Sequence, residues 1–110
     1  MQYRILCYQT VAGKKPFVEW LEKLRRRDRT ASAAVDARLE RIRDVGNFGD
    51  FKALGGGVVE LRLHGGPGYR LYYLQYGRQV VLMLLGGEKS DQRADIAKAY
   101  AYAKDYWRRI

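Results

Sequence analysis

Two arginines, Arg62 and Arg70, are the residues whose placement asks for a chemical reason. They lie in VVELRLHGGPGYRLYYLQYGRQVVLMLLGGEK, from Val58 to Lys89. The stretch reads as three consecutive strands, Val58 to Leu63, Tyr69 to Tyr76 and Gln79 to Leu85, marked by β-branched, Leu and Tyr runs. Gly65-Gly66-Pro67-Gly68 separates the first pair, and Gly77-Arg78 reads as a two-residue type II′ turn between the second pair. With Leu63 opposite Tyr69, Arg62 stands directly across from Arg70. Alternation puts Glu60 and Tyr72 on their face and Val59, Leu61, Leu63, Leu71 and Tyr73 on the other, the core side. A like-charged cross-strand pair is destabilising by roughly a few tenths to one kcal/mol, so stability gives no reason for the pair. An anion between them does.

If that anion is an RNA phosphodiester, cleavage without a metal has three needs: removal of the 2′-hydroxyl proton, cations around the pentacovalent phosphate, and a proton for the departing 5′-oxygen. The groups at hand are Arg, Lys and Tyr. The single histidine, His64, excludes a two-histidine acid/base pair. It falls at the Gly-rich turn beside Arg62, where it reads either as a proton carrier near neutral pH or as an exposed turn residue. Tyr72, two residues from Arg70, is placed to stack on a base or donate a proton. Carboxylate clusters for two-metal chemistry and Cys/His clusters with metal-ligand spacing are not evident, so neither a metal nor another cofactor is expected. The one cysteine, Cys7, is a packing residue without a disulfide partner.

Length and charge narrow the partner. One hundred and ten residues suit one domain, residues 1–110, with a modest core. Twenty-one Lys and Arg against 12 acids give a net charge of +9, interleaved with nine tyrosines. That balance favours a polyanion, nucleic acid before membrane, and an acidic protein fits it equally well. The chain carries neither a membrane-length apolar run nor a signal-peptide pattern, so a cytoplasmic protein is expected.

Four further stretches must position the arginines. Gln2 to Tyr8 reads as a strand at the middle or edge of a sheet. Pro16 opens a helix in which Phe17, Trp20, Leu21 and Leu24 recur at helical spacing. After Arg25 to Arg29, a solvated junction or a phosphate-contacting arm, Asp28 or Thr30 caps a second helix with a Val35, Leu39, Ile42 stripe that closes at Gly46. Arg38, Arg41 and Arg43 read as its charged outer face. Gly46 to Gly57 reads as a flexible connector. From Ser90 or Asp91 a last helix carries Ile96, Tyr100, Ala103 and Trp107 on one stripe. The sum is an α+β chain ordered β-α-α-β-β-β-α, with helices on one face of a mainly antiparallel sheet and a basic concavity on the other. Val81, Met83 and Leu85 are expected on the Arg70 face, part of which is covered by the C-terminal segment or by a partner protein.

The runs ELR, GYRLYY and LLGGEKSDQRADIAKA, in that order, resemble the toxins of the RelE/ParE superfamily, in particular the HigB-like addiction module killer proteins. The resemblance runs from Phe17-Val18-Glu19-Trp20-Leu21 to the last helix. It implies a RelE-like fold and the toxin of a type II toxin-antitoxin system, acting as a metal-independent, ribosome-dependent endoribonuclease on messenger RNA. By this resemblance Arg70 stabilises the scissile phosphate and Arg62 is a second phosphate ligand. Lys89 serves as phosphate ligand or proton donor, and Lys52, just ahead of Leu54-Gly55, takes part in binding or cleavage. The implied partners are a helix-turn-helix antitoxin, messenger RNA with the ribosome, and operator DNA only through the antitoxin complex, with no membrane. Relatives place a catalytic Tyr or His near the C-terminus. Tyr100, Tyr102 and Tyr106 are motif-free candidates, so the general acid stays unassigned. The alternatives are a ParE-like gyrase inhibitor and a non-catalytic RNA- or protein-binding module.

Overall fold

The structure is a computed structural model that describes residues 2–110, with Tyr76 described by its backbone alone. Pro16, with its fixed φ and missing N–H, opens α1 (Pro16–Arg27), whose Phe17 and Leu24 are buried with Trp20 and Leu21 packed beside them. Asp28 caps α2 (Arg29–Val45): its carboxylate accepts the Ala31 amide at 3.0 Å. Gly46 ends α2 in the left-handed conformation. The expected helical hairpin is present, and Val35 and Ile42 are fully buried on its inner side.

The strands are β1 (Arg4–Cys7), β2 (Phe51–Gly55), β3 (Val58–Arg62), β4 (Tyr69–Tyr76) and β5 (Val80–Glu88). They form one sheet in the order β1-β5-β4-β3-β2, with β1 parallel to β5 and the other pairs antiparallel. A single 3-10 turn, Lys89–Asp91, leads into α3 (Gln92–Arg109). The α+β class and antiparallel meander are as expected, and several details differ.

The supposed connector Gly46 to Gly57 contains β2, because Phe51, Lys52 and Ala53 find backbone partners in Leu61, Glu60 and Val59. The turn between β4 and β5 takes residues 77–79, since Val80 pairs with Tyr76. The helices do not share one face. α1 and α2 cover Leu61, Leu63, Leu71 and Tyr73, the predicted core side, whereas α3 lays Ala99 and Ala103 on Val58, Tyr72, Leu74, Leu82 and Leu84. Finally, a bulge in β5 shifts the register between Tyr72 and Tyr73. Val81 and Met83 therefore join the α1 and α2 side, and only Leu85 lies with Tyr72.

The α3 stripe is rotated from the predicted one. Small Ala99 and Ala103 let the helix approach the sheet, with Ile96, Tyr102 and Tyr106 packed beside them. Tyr100 instead reaches β2, donating to Leu54 O at 2.8 Å and Gly55 O at 3.0 Å. Trp107 is about half exposed. Among the described residues no helix is long and apolar enough to cross a membrane.

Candidate active site

Register builds the site in two rows. One runs Arg62, Arg70, Gly87 across β3, β4 and β5, and the next runs Lys52, Glu60, Tyr72, Leu85 from β2 to β5. The facing arginines predicted from alternation are therefore direct partners.

Arg70 is 9% exposed, yet among the described residues its guanidinium meets only backbone carbonyls, Gly68 O at 3.4 Å and Tyr69 O at 3.3 Å. Its Nε is buried without a partner, and no ion pair joins it to a described carboxylate. Charge-assisted bonds run to about 2.7–2.9 Å, so this cation is held in place but not satisfied. Gly68 closes the corner beside it. A Cβ on Gly68 would lie 3.6 Å from Arg70 Nη1 and 3.3 Å from Lys89 Cβ, which sets Lys89 next to Arg70 on the exposed rim.

Arg62 is better tied. Its Nε donates to Glu60 Oε1 at 3.0 Å, its N–H to Asp50 O at 3.0 Å, and its carbonyl accepts Arg38 Nη2 at 2.8 Å. Glu60 has no exposed surface, and its second oxygen accepts Gln92 Nε2 at 2.6 Å. Tyr72 is buried beneath α3 with its hydroxyl unpartnered. Burial above all, then the carboxylates of Glu60 and Asp95, pushes its pKa upward against the opposing Arg70. A ring so covered has no face open to a base, which corrects the stacking role expected of Tyr72. Lys52 is exposed on β2. His64 is exposed at the end of β3, its Nε2 2.7 Å from Asp50 Oδ2.

Three contributors escaped the sequence reading. Arg38, assigned to the outer face of α2, is buried and reaches Phe48 O, Asp50 O and Arg62 O, fastening α2 to the ends of β2 and β3. Gln92 and Asp95 come from the first turn of α3; cover of this face by the C-terminal segment is expected from the sequence, but not the two side chains it brings. Asp95 fills the space left by Gly87, where a Cβ would overlap Oδ2.

Asp95 is 7% exposed, in a recess shared with Trp20, Lys23, Arg27, Glu88 and Asp91. Burial raises its pKa, Lys98 opposes the rise and Asp91 adds to it. The native state therefore holds this proton more tightly than the unfolded chain, and its stability falls as pH rises from the unfolded carboxyl value through the raised one. Asp95→Asn is expected to melt above wild type at pH 7, with the gap closing below about pH 4. Thermal melts across that range check the sign.

A groove of about 1000 Å³ lies elsewhere, between β1 and α2. Its Asp36, Glu40 and Asp44 offset Arg4 and Arg43, so it lacks the one-signed charge of the arginine row. Among the described residues no group of three His, Cys, Asp or Glu is placed to hold a metal.

The family model described as phage derived protein Gp49-like (DUF891) matches residues 19–105, a span that contains both rows and the first turn of α3. A protein of Haemophilus influenzae (strain Rd), described as an uncharacterized protein, is 40% identical over 89 residues, covering 81% of this chain and 87% of that protein.

Proposed function

Because the chain belongs to the phage-derived Gp49-like family, within the RelE/HigB-like toxin superfamily of toxin-antitoxin systems, we propose that it is a HigB-type toxin: an endoribonuclease that cleaves messenger RNA on the ribosome and arrests translation. Its 110 residues act as one toxin domain in the cytoplasm. The observation that carries this reading is Arg70, a buried guanidinium without a carboxylate partner, facing Arg62 and bordered by Lys89.

A phosphodiester seated there supplies both the missing acceptors and the missing negative charge. Arg70 holds the scissile phosphate, Arg62 shares the charge that builds on it, and Lys52 and His64 contact RNA to the β2 side of the row. Attack of the 2′-oxygen on phosphorus, its proton passing to solvent water, breaks the bond to the 5′-oxygen, which takes up a proton in turn, and leaves a 2′,3′-cyclic phosphate and a 5′-hydroxyl. Lys89 stands at the rim as phosphate ligand or as donor of the proton that the 5′-oxygen takes. The cognate helix-turn-helix antitoxin blocks this cationic row, and operator DNA is reached only through that complex.

Inducing the chain in cells and mapping 5′ ends by primer extension tests the reading. Prompt growth arrest with new cuts in translated messages is the expected result. Arrest with intact messages and blocked DNA supercoiling would identify a gyrase inhibitor instead, and growth without arrest a binding module.

A further inference from the structure

We infer that Glu60 is a positioning residue: its buried carboxylate, locked from α3 by Gln92, aims Arg62 at the substrate phosphate. The inference rests on the nuclease reading above.

A carboxylate with no exposed surface is costly to bury unless its charge and lone pairs are met. Glu60 meets them with two donors from different elements, Arg62 Nε on its own strand and Gln92 Nε2 at the start of α3. Lys52 and Tyr72 are its neighbours across the sheet. The directions of the two bonds decide the role. Binding Arg62 through Nε fixes the plane of the guanidinium and leaves both Nη nitrogens for a ligand, and the side chain is still 32% exposed. Arg62 thus offers a phosphate a preset fork, where a free arginine would first have to lose its rotamer freedom. Gln92 keeps the carboxylate from turning away, so the packing of α3 on the sheet is coupled to the direction of Arg62.

The test is single-turnover cleavage of a defined messenger RNA on programmed ribosomes, with melting temperatures alongside. Glu60→Gln is nearly isosteric but weakens the grip on Arg62. It is expected to lower kcat about tenfold or more with little change in KM, as misplacement of a transition-state contact does. In an Arg62→Ala background the same change should lower kcat no further, because the effect passes through Arg62. The swap Glu60→Gln with Gln92→Glu keeps one amide and one carboxylate in the same chain of hydrogen bonds. It should return kcat to within about threefold of wild type.

A Glu60→Gln loss that persists undiminished in the Arg62→Ala background would overturn the inference, as would an unchanged kcat in Glu60→Gln. Wild-type chain that cuts nothing would sink the nuclease reading and this inference with it. Cleavage that needs Arg70 but ignores Glu60 would sink the inference alone.

Discussion

Arg70→Ala is expected to reduce messenger RNA cleavage about 10²- to 10³-fold, the loss seen when a preorganised donor is removed from a developing negative charge. The magnitude follows from the environment. Arg70 sits at 9% exposure in a setting that shields its charge poorly, with carbonyls at 3.3 and 3.4 Å and no carboxylate partner. Its attraction to a phosphate is therefore undiluted by a competing anion. The same facts predict the effect on folding. Removing Arg70 strands no carboxylate, so melting should stay near wild type, unlike loss of Arg62, which would leave Glu60 buried with Gln92 but without its cationic partner. Arg70→Lys should recover part of the rate, since it keeps the charge but not the planar fork. Single-turnover rates with melts in parallel make the measurement. A variant that binds RNA only modestly more weakly, beside a wild type that does not cut, would leave a phosphate contact without catalysis.

The arginine pair was readable in advance because hairpin register is local: one turn and a period of two place Arg62 against Arg70. Distant partners were not. Arg38 stands among Glu40, Arg41 and Arg43 and looks solvated, yet it is buried against carbonyls 10 to 24 residues away. β2 is short, mostly exposed and bounded by glycines, so it shows no alternation, and its pairing with β3 alone makes it a strand. The seat of α3 was legible only in part. Cover of the Arg70 face by the C-terminal segment was expected, but the helix itself was placed with α1 and α2, because an alanine-rich helix has little apolar contrast to say which side it packs. What brings it onto this face is Tyr72, Leu74, Leu82 and Leu84, apolar or aromatic residues in strands buried on both sides. Gln92 and Asp95 meet the row only because that apolar patch seats the helix above it.

Gly86→Ala is expected to cost about 3 kcal/mol, at the upper end of what overpacking a filled core imposes. The backbone at Gly86 is not left-handed, so the penalty is steric. A Cβ there overlaps Cε3, Cζ3 and Cδ2 of Trp20, and that ring is not free to swing away. Phe17 and Tyr69 flank it with ring centroids at 5.9 and 6.0 Å, and α1 is packed on β5 around it. At roughly 4 °C or more per kcal/mol for a chain of this size, the melting temperature should fall by about 10 °C or more. Trimming the obstacle supplies the control: in a Trp20→Leu background the added methyl should cost much less, a coupling that only direct contact explains. If Gly86→Ala melts within a degree or two of wild type, Trp20 does not lie over this glycine. Gly87 sets the contrast, because its missing side chain faces the other way, toward Asp95 and the arginine row. A methyl at Gly86 drives α1 off the sheet and acts on stability. At Gly87 it displaces Asp95 from beside Tyr72, and its effect should fall more heavily on cleavage. Two adjacent glycines let helices close on β5 from opposite faces, one setting the core and the other the floor of the site.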